Sequence, residues 1–335
     1  MAETHLFKTS LELKEFLPNS AGAIIEQVFP FVGIAEQNIL VKYVGQEQFE
    51  DILDKYNDTG HTLTTDEANI LREMRKPVAF FAMEYYIPHG QVLISPSGIR
   101  INNTDTMKTA FEWQIQKLMW AYHSQGYDMI ERLIKWLYDR LDTYTIYAAS
   151  AAFTNNHDAL LQYASDMDKY HWINTCRATF EMVRPAINDV ETLHVREAIG
   201  NDYYDELIEK LRDDDLNSDD EVIIGWLRAG IAKLSISEAV KRNLVKVTPA
   251  GVVSIKDPTT TVTPTAQDQQ YRSTLIQTCE TWGNSYMSKV REYLNENATA
   301  LVYPTFFASD KYADPEVEVT PTIANSTDDV KIFFV

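Results

Sequence analysis

The residues of this 335-residue chain that could do chemistry are seven histidines, two cysteines and 49 carboxylates. The histidines are His5, His61, His89, His123, His157, His171 and His194. No two stand three or four positions apart, so the simplest zinc pair on a helix face is missing. The densest acidic stretch, Asp213-Asp214-Asp215-Leu216-Asn217-Ser218-Asp219-Asp220-Glu221, has the look of a calcium loop. It lacks both the turn glycine and the closing glutamate at the required spacing, and it reads as a solvated turn running into a helix cap. Cys176 and Cys279 read as reduced, partly buried thiols. No nucleophile elbow, Walker loop or dinucleotide-binding glycine pattern occurs, and only 12 glycines are available to cradle phosphates. Carboxylate pairs such as Asp139/Asp142 are expected by chance among so many acids. The sequence implies no cofactor, no metal and no catalytic residue. An all-α enzyme with its site between two halves is the opposing hypothesis, and its acid–base set would be His61, His89, Asp66 and Glu84.

The halves come from an internal repeat. Pro30 and Pro185 are 155 positions apart, as are Gly45 and Gly200, Phe49 and Tyr204, Ile52 and Leu207, and Lys55 and Lys210. After a shift of two the match resumes at 153 with Val78/Ile231, Ala79/Ala232, Pro96/Pro249 and Gly98/Gly251. It ends at 157 with Gly126/Gly283, Leu133/Val290 and Leu137/Leu294. Packing and turn residues recur, whereas reactive groups do not. The expected organisation is a first repeat over 1–157, a second over 158–310, and an extended C-terminal arm over 311–335.

Within the first repeat, Thr9 or Ser10 caps a short helix, and Pro30 ends or kinks the next one. Ile34 to Val44 is helical up to Gly45, and Gln48 to Tyr56 is amphipathic on Phe49, Ile52 and Leu53. Thr64-Thr65-Asp66-Glu67 caps a helix to about Ile87, with Pro77 as a kink and Pro88-His89-Gly90 as the stop. Residues 91–101 read as two β-type runs around Ser95-Pro96-Ser97-Gly98, a hairpin. Asn103 to Asp105 caps a helix with the stripe Met107, Ala110, Phe111, Ile115, Leu118 and Tyr122. Gly126 is expected to break it, and a last helix carries Met129 to Leu141. The second repeat follows the same order. Asp166 to Trp172 comes first, then Ala178 to Val183 and Pro185. Ser218-Asp219-Asp220-Glu221 is the cap and 244–255 the hairpin, with an exposed insert at Asp257 to Ala266. Gln267 to Cys279 and Tyr286 to Leu294 are the closing helices. The fold class is therefore mainly α: two tandem helical bundles, each with a small β-hairpin, plus the arm.

Thirty basic residues against 49 acidic ones give a net charge of -19, which argues against general affinity for nucleic-acid phosphates. No apolar run nears the ~18 residues of a membrane span, and MAETHLFKTS has no export-signal character, so synthesis in the cytosol is expected. Trp120 and Trp136 partly leave the apolar stripes of their helices and are candidate interface aromatics. Ile332, Phe333, Phe334 and Val335 close an acidic, Thr/Pro-rich tail and are candidates for docking on a neighbour.

Residues Val92 to Ile99, then Thr104-Asp105-Thr106-Met107-Lys108-Thr109-Ala110-Phe111-Glu112-Trp113 on to Leu118, resemble a family of uncharacterised proteins encoded in phages and prophages of Bacteroidota. Gly126-Tyr127-Asp128 fits as well. The resemblance covers most of both repeats and departs at Asp257 to Gln270. It implies a virion structural role near the neck, and the layout is similar to head–tail connector (adaptor) proteins of tailed phages. Those form rings, commonly twelvefold, below the portal. The partners so implied are other copies of the chain, portal and tail proteins, and DNA passing through an acidic channel without sequence-specific binding; no membrane is involved. A tail-side or tail-terminator ring is the alternative within the same particle.

Overall fold

A computed structural model describes residues 4–18, 25–90, 92–95, 98–101, 110–248, 251–254 and 266–314. The chain is mainly helical and builds the same unit twice. Short helical pieces come first: Ser10–Lys14, whose cap is Thr9 with its hydroxyl accepting from the Glu12 amide at 3.3 Å, and Ile25–Val28. Pro30 sits in a 3-10 turn, Phe29–Phe31, where its missing N–H costs nothing. The chain then runs through Val32–Ala35, a π-turn at Glu36–Leu40, and Val41–Val44. Three main helices follow: α1 (Gln46–Asn57), α2 (Thr65–Gly90) and α3 (Glu112–Tyr138). Between α2 and α3 the backbones of β1 (Val92–Ser95) and β2 (Gly98–Ile101) pair antiparallel, Val92 opposite Ile101.

The second unit repeats this with α4 (Arg177–Val190), a π-turn at Glu191–Val195, and Arg196–Ile199. Next come α5 (Asn201–Arg212), α6 (Ser218–Lys241), the paired β3 (Val245–Thr248) and β4 (Gly251–Ser254), and α7 (Ala266–Asn297). Both π-turns lie 155 positions apart. So do Gly45 and Gly200, at φ/ψ 88°/148° and 83°/158°, a backbone region that only glycine occupies without strain. Each lets the chain leave one helix and enter the next with no linker.

Each unit has its own apolar core. One is drawn from Leu6 to Tyr147 and the other from Leu160 to Phe306. Fully buried side chains such as Leu13, Phe49 and Phe81 in the first, and Phe180, Leu207 and Phe306 in the second, each contribute about 1.5–3 kcal/mol of burial.

Several boundaries differ from the sequence expectation. Gly126 does not break a helix: α3 runs through it, and α7 runs likewise through Gly283, joining what read as two closing helices. The reason is packing. A Cβ on Gly126 would lie 2.9 Å from the Phe81 ring. One on Gly283 would lie 2.5 Å from Leu234 and 3.2 Å from the Gly230 carbonyl. Phe81 and Leu234 are themselves 153 apart, so both glycines serve the same close helix approach. Pro88-His89-Gly90 does not stop α2 but forms its last turn, and Pro185 lies inside α4. The cap of α6 is Asn217 rather than Ser218, its side-chain oxygen accepting from the Asp219 and Asp220 amides at 2.9 Å each. Asp139 and Asp142 lie just beyond the end of α3. Of the described residues of the stripe, Tyr122 is buried and Ile115 half-buried against the core, whereas Ala110, Phe111 and Leu118 face solvent. Met107, the cap Asn103–Asp105, Pro96, Ser97, Pro249, Ala250, most of the insert 257–266, and 315–335 lie outside the described residues.

Candidate interaction surface

The four residues of the enzyme hypothesis are not brought together. His61 Nε2 bonds Glu67 at 2.9 Å in the loop before α2, and the Asp66 carbonyl accepts from the Tyr144 hydroxyl at 3.0 Å. Glu84 pairs with His123 at 2.9 Å, and His89 lies against the Phe31 ring at 5.1 Å. Asp66 and Glu84 stand 18 residues apart on one helix, about 27 Å along its axis. Among the described residues no cluster of three His, Cys, Asp or Glu could hold a metal ion. None of their helices is long and apolar enough to cross a membrane.

What the sequence reading missed is a duplicated set of buried polar contacts. Glu36, in the first π-turn, accepts the Leu6 amide at 2.7 Å and pairs with His5. Glu191, 155 positions on, accepts the Leu160 and Leu161 amides at 2.9 and 3.4 Å and the Tyr204 hydroxyl at 2.7 Å. Arg75 donates to the Leu6 carbonyl and Arg228 to the Leu160 carbonyl, both at 2.7 Å. Each unit thus clamps its entering strand by amide and carbonyl alike, satisfying backbone that has no sheet to join. Burial raises both carboxyls, Glu191 to about 7 against the pull of Tyr204 and the two amides. The signal was available in the sequence: both glutamates, and Arg75 with Arg228, recur at the repeat offsets within apolar stretches.

The seam between the units is a second polar set. Arg177 is 1% exposed and reaches Glu181 at 2.7 Å, the Gln162 carbonyl at 3.0 Å and Glu131 at 3.8 Å. Glu131, from α3 of the first unit, accepts the Ala164 and Ser165 amides of the second at 3.0 and 3.2 Å. Burial alone would raise Glu181, but Arg177, Lys42 and Arg184 outweigh it and hold it low. His157 sits beside the seam, stacked on Tyr138 and bonded to the Phe153 carbonyl and the Tyr163 hydroxyl. Burial pushes it down to about 4.

The candidate aromatics divide. Trp136 is half-buried, its ring on Tyr144 at 5.1 Å and under the Arg140 guanidinium at 4.8 Å. Trp120 stacks on His123 at 5.4 Å and is also half-buried. The exposed surface lies closer to the start of α3: Phe111 is 68% exposed, Trp113 56% and Leu118 47%. On the second unit Tyr271 and Trp282 stand out from α7. Ile332, Phe333, Phe334 and Val335 lie outside the described residues.

A mainly helical protein of two like units, bolted through buried charge, is therefore the class that fold and contacts define. Residues 40–157 and again 195–316 match the profile of a family of unknown function, DUF6712. The two matches cover more than half of the chain, which belongs to that family. No curated protein and no solved structure matches it.

Proposed function

We propose that the chain is a non-enzymatic building block of a tailed-phage virion, a head–tail connector that assembles as a ring between portal and tail. The observation that carries the reading is what the duplication keeps. Both units retain their glycine corners, carboxylate clamps and close helix crossings, and the glutamates and arginines of the recurring clamps hold backbone. Phe111, Trp113 and Leu118, exposed over the first turns of α3, supply apolar surface for a neighbour. In this reading the C-terminal residues Ile332-Phe333-Phe334-Val335 dock on a neighbouring subunit. An excess of 19 negative charges suits a channel that lets DNA pass without gripping it.

Negative-stain imaging and native mass measurement of the purified chain test this. The expected result is a closed ring of identical chains, about twelve of them, in the presence of the portal or alone. A strict monomer at micromolar concentration under both conditions overturns the reading. Capture of tail-tube rather than portal proteins would move the ring to the tail side.

A further inference from the structure

The two repeats differ at one place in a way that leaves an unfilled receptor. In the first, Lys55 bridges Asp51 at 2.8 Å and Glu67 at 3.1 Å. In the second, Lys210 bridges Glu206 at 2.8 Å and Asp220 at 3.1 Å, the same arrangement at the repeat offsets. In the first repeat both oxygens of Glu67 are used: Oε1 by Lys55, Oε2 by His61 and by the Thr64 amide at 2.8 Å. The loop carrying His61 spans residues 58–64, whereas its counterpart spans 213–217. Those two missing residues are the shift from offset 155 to 153, and they remove the partner of Gly60-His61. Asp220, one methylene shorter than Glu67, gives Oδ2 to Lys210 and to the Asn217 amide, while its Oδ1 is buried without a hydrogen-bond partner. The second repeat has no such histidine, and Asp220 instead lines a cavity of about 230 Å³ together with Glu206, Lys210, Asp219, Leu301 and Tyr303.

We propose that this cavity is a binding site for one cationic N–H donor, an ammonium or guanidinium group. Three carboxylates against one lysine leave about two net negative charges, so an anion is repelled. A donor aimed at the floor would fill the role that His61 plays for Glu67. Asp220 is wholly buried, and an acceptor left unpaired at such a position is unfavourable. The volume exceeds the ~30 Å³ share of a single water several-fold and admits a charged head with its stem. Leu301, 92% exposed, and Val302 flank the mouth and suit the aliphatic part of a lysine or arginine side chain. The group can belong to a free amine or guanidine, or to a basic side chain of a partner protein. The inference does not depend on the ring reading.

Calorimetric titration of the full chain with arginine amide, with its neutral isostere citrulline amide (both Nα-acetylated, so that only the side chain can carry charge), and with a short Nα-acetylated peptide bearing one arginine tests the site. Arginine amide or the peptide should bind, and citrulline amide at least tenfold more weakly. Tighter binding of the peptide assigns a partner-borne side chain; equal binding assigns the free cation. Asp220→Asn should weaken binding at least tenfold. Because that variant also touches the helix cap, a second one inserts Gly-His between Asp214 and Asp215, restoring the plug of the first repeat. It should abolish binding while the circular dichroism spectrum is retained. No binding of any cation, equal binding of citrulline amide, or undiminished binding after the insertion overturns the proposal.

Discussion

Glu191 is the residue where the fold meets proton concentration most directly. Its carboxyl is raised by burial from 4.5 to about 7, so the native state holds a proton between those values that the unfolded chain has released. Its contribution is complete below pH 4.5 and is lost as pH rises toward 7, on the order of 3 kcal/mol. His157 and His171 work the other way. Burial lowers both from 6.5 to about 4, so stability is complete above 6.5 and falls as pH drops toward 4. Glu191→Gln keeps an acceptor for the Leu160 and Leu161 amides and removes the charge. Urea denaturation should find it equal to wild type near pH 4.5 and more stable by about that amount at pH 8. Parallel pH curves for the two proteins would contradict this. Gly45→Ala and Gly200→Ala should each cost about 1–3 kcal/mol, because neither backbone can accept a Cβ without strain.

At the scale of the element, the long helices carry glycines of two kinds. Gly225, inside α6, has nothing near its absent Cβ except the Tyr170 hydroxyl at 3.9 Å. Gly225→Ala should stabilise the chain by about 0.4–1 kcal/mol through the unfolded state. Gly283→Ala gains the same helix propensity but drives a methyl into Leu234 and the Gly230 carbonyl. It should lower stability by about 1–2 kcal/mol net. Opposite signs in one denaturation series would check both. These glycines also mark the limit of sequence reading. The repeat was legible because its offsets are carried by apolar and turn residues, and both Gly45 and Gly200 could be placed at helix ends from sequence. Gly126 and Gly283 look identical to breakers, since the feature that retains them is a neighbouring helix some 50 residues away. Glu36 and Glu191 recur at the repeat offset, but recurrence alone does not say what they hold. One carboxylate among 49 carries no mark of burial, and its partners lie 30 residues back in a segment with no regular structure. Phe111 was assigned to an inward stripe by a periodicity that continues past the part of α3 that α2 covers.

For the whole molecule, the exposed side chains at the start of α3 and the seam make separate predictions. Phe111→Ser with Trp113→Ser removes apolar surface that is already in water, so the melting temperature should stay within about 2 °C. Particle size in native mass measurement should fall to that of a single chain. Unchanged particles would free this face from any assembly role. Arg177→Met removes the buried cation shared by Glu131 and Glu181, leaving only the more exposed Lys135 to the first and Lys42 and Arg184 to the second, and should cost about 3 kcal/mol. The seam has one more consequence. Its carboxylate has no twin: 157 residues beyond Glu131, where the second unit would need the same group, stands Ser288, facing solvent. This joint is therefore written once per chain and cannot be passed from the tail of one molecule to the head of the next. Any larger array counts in whole chains, with pseudo-symmetry inside each link and a chemically different coupling between links.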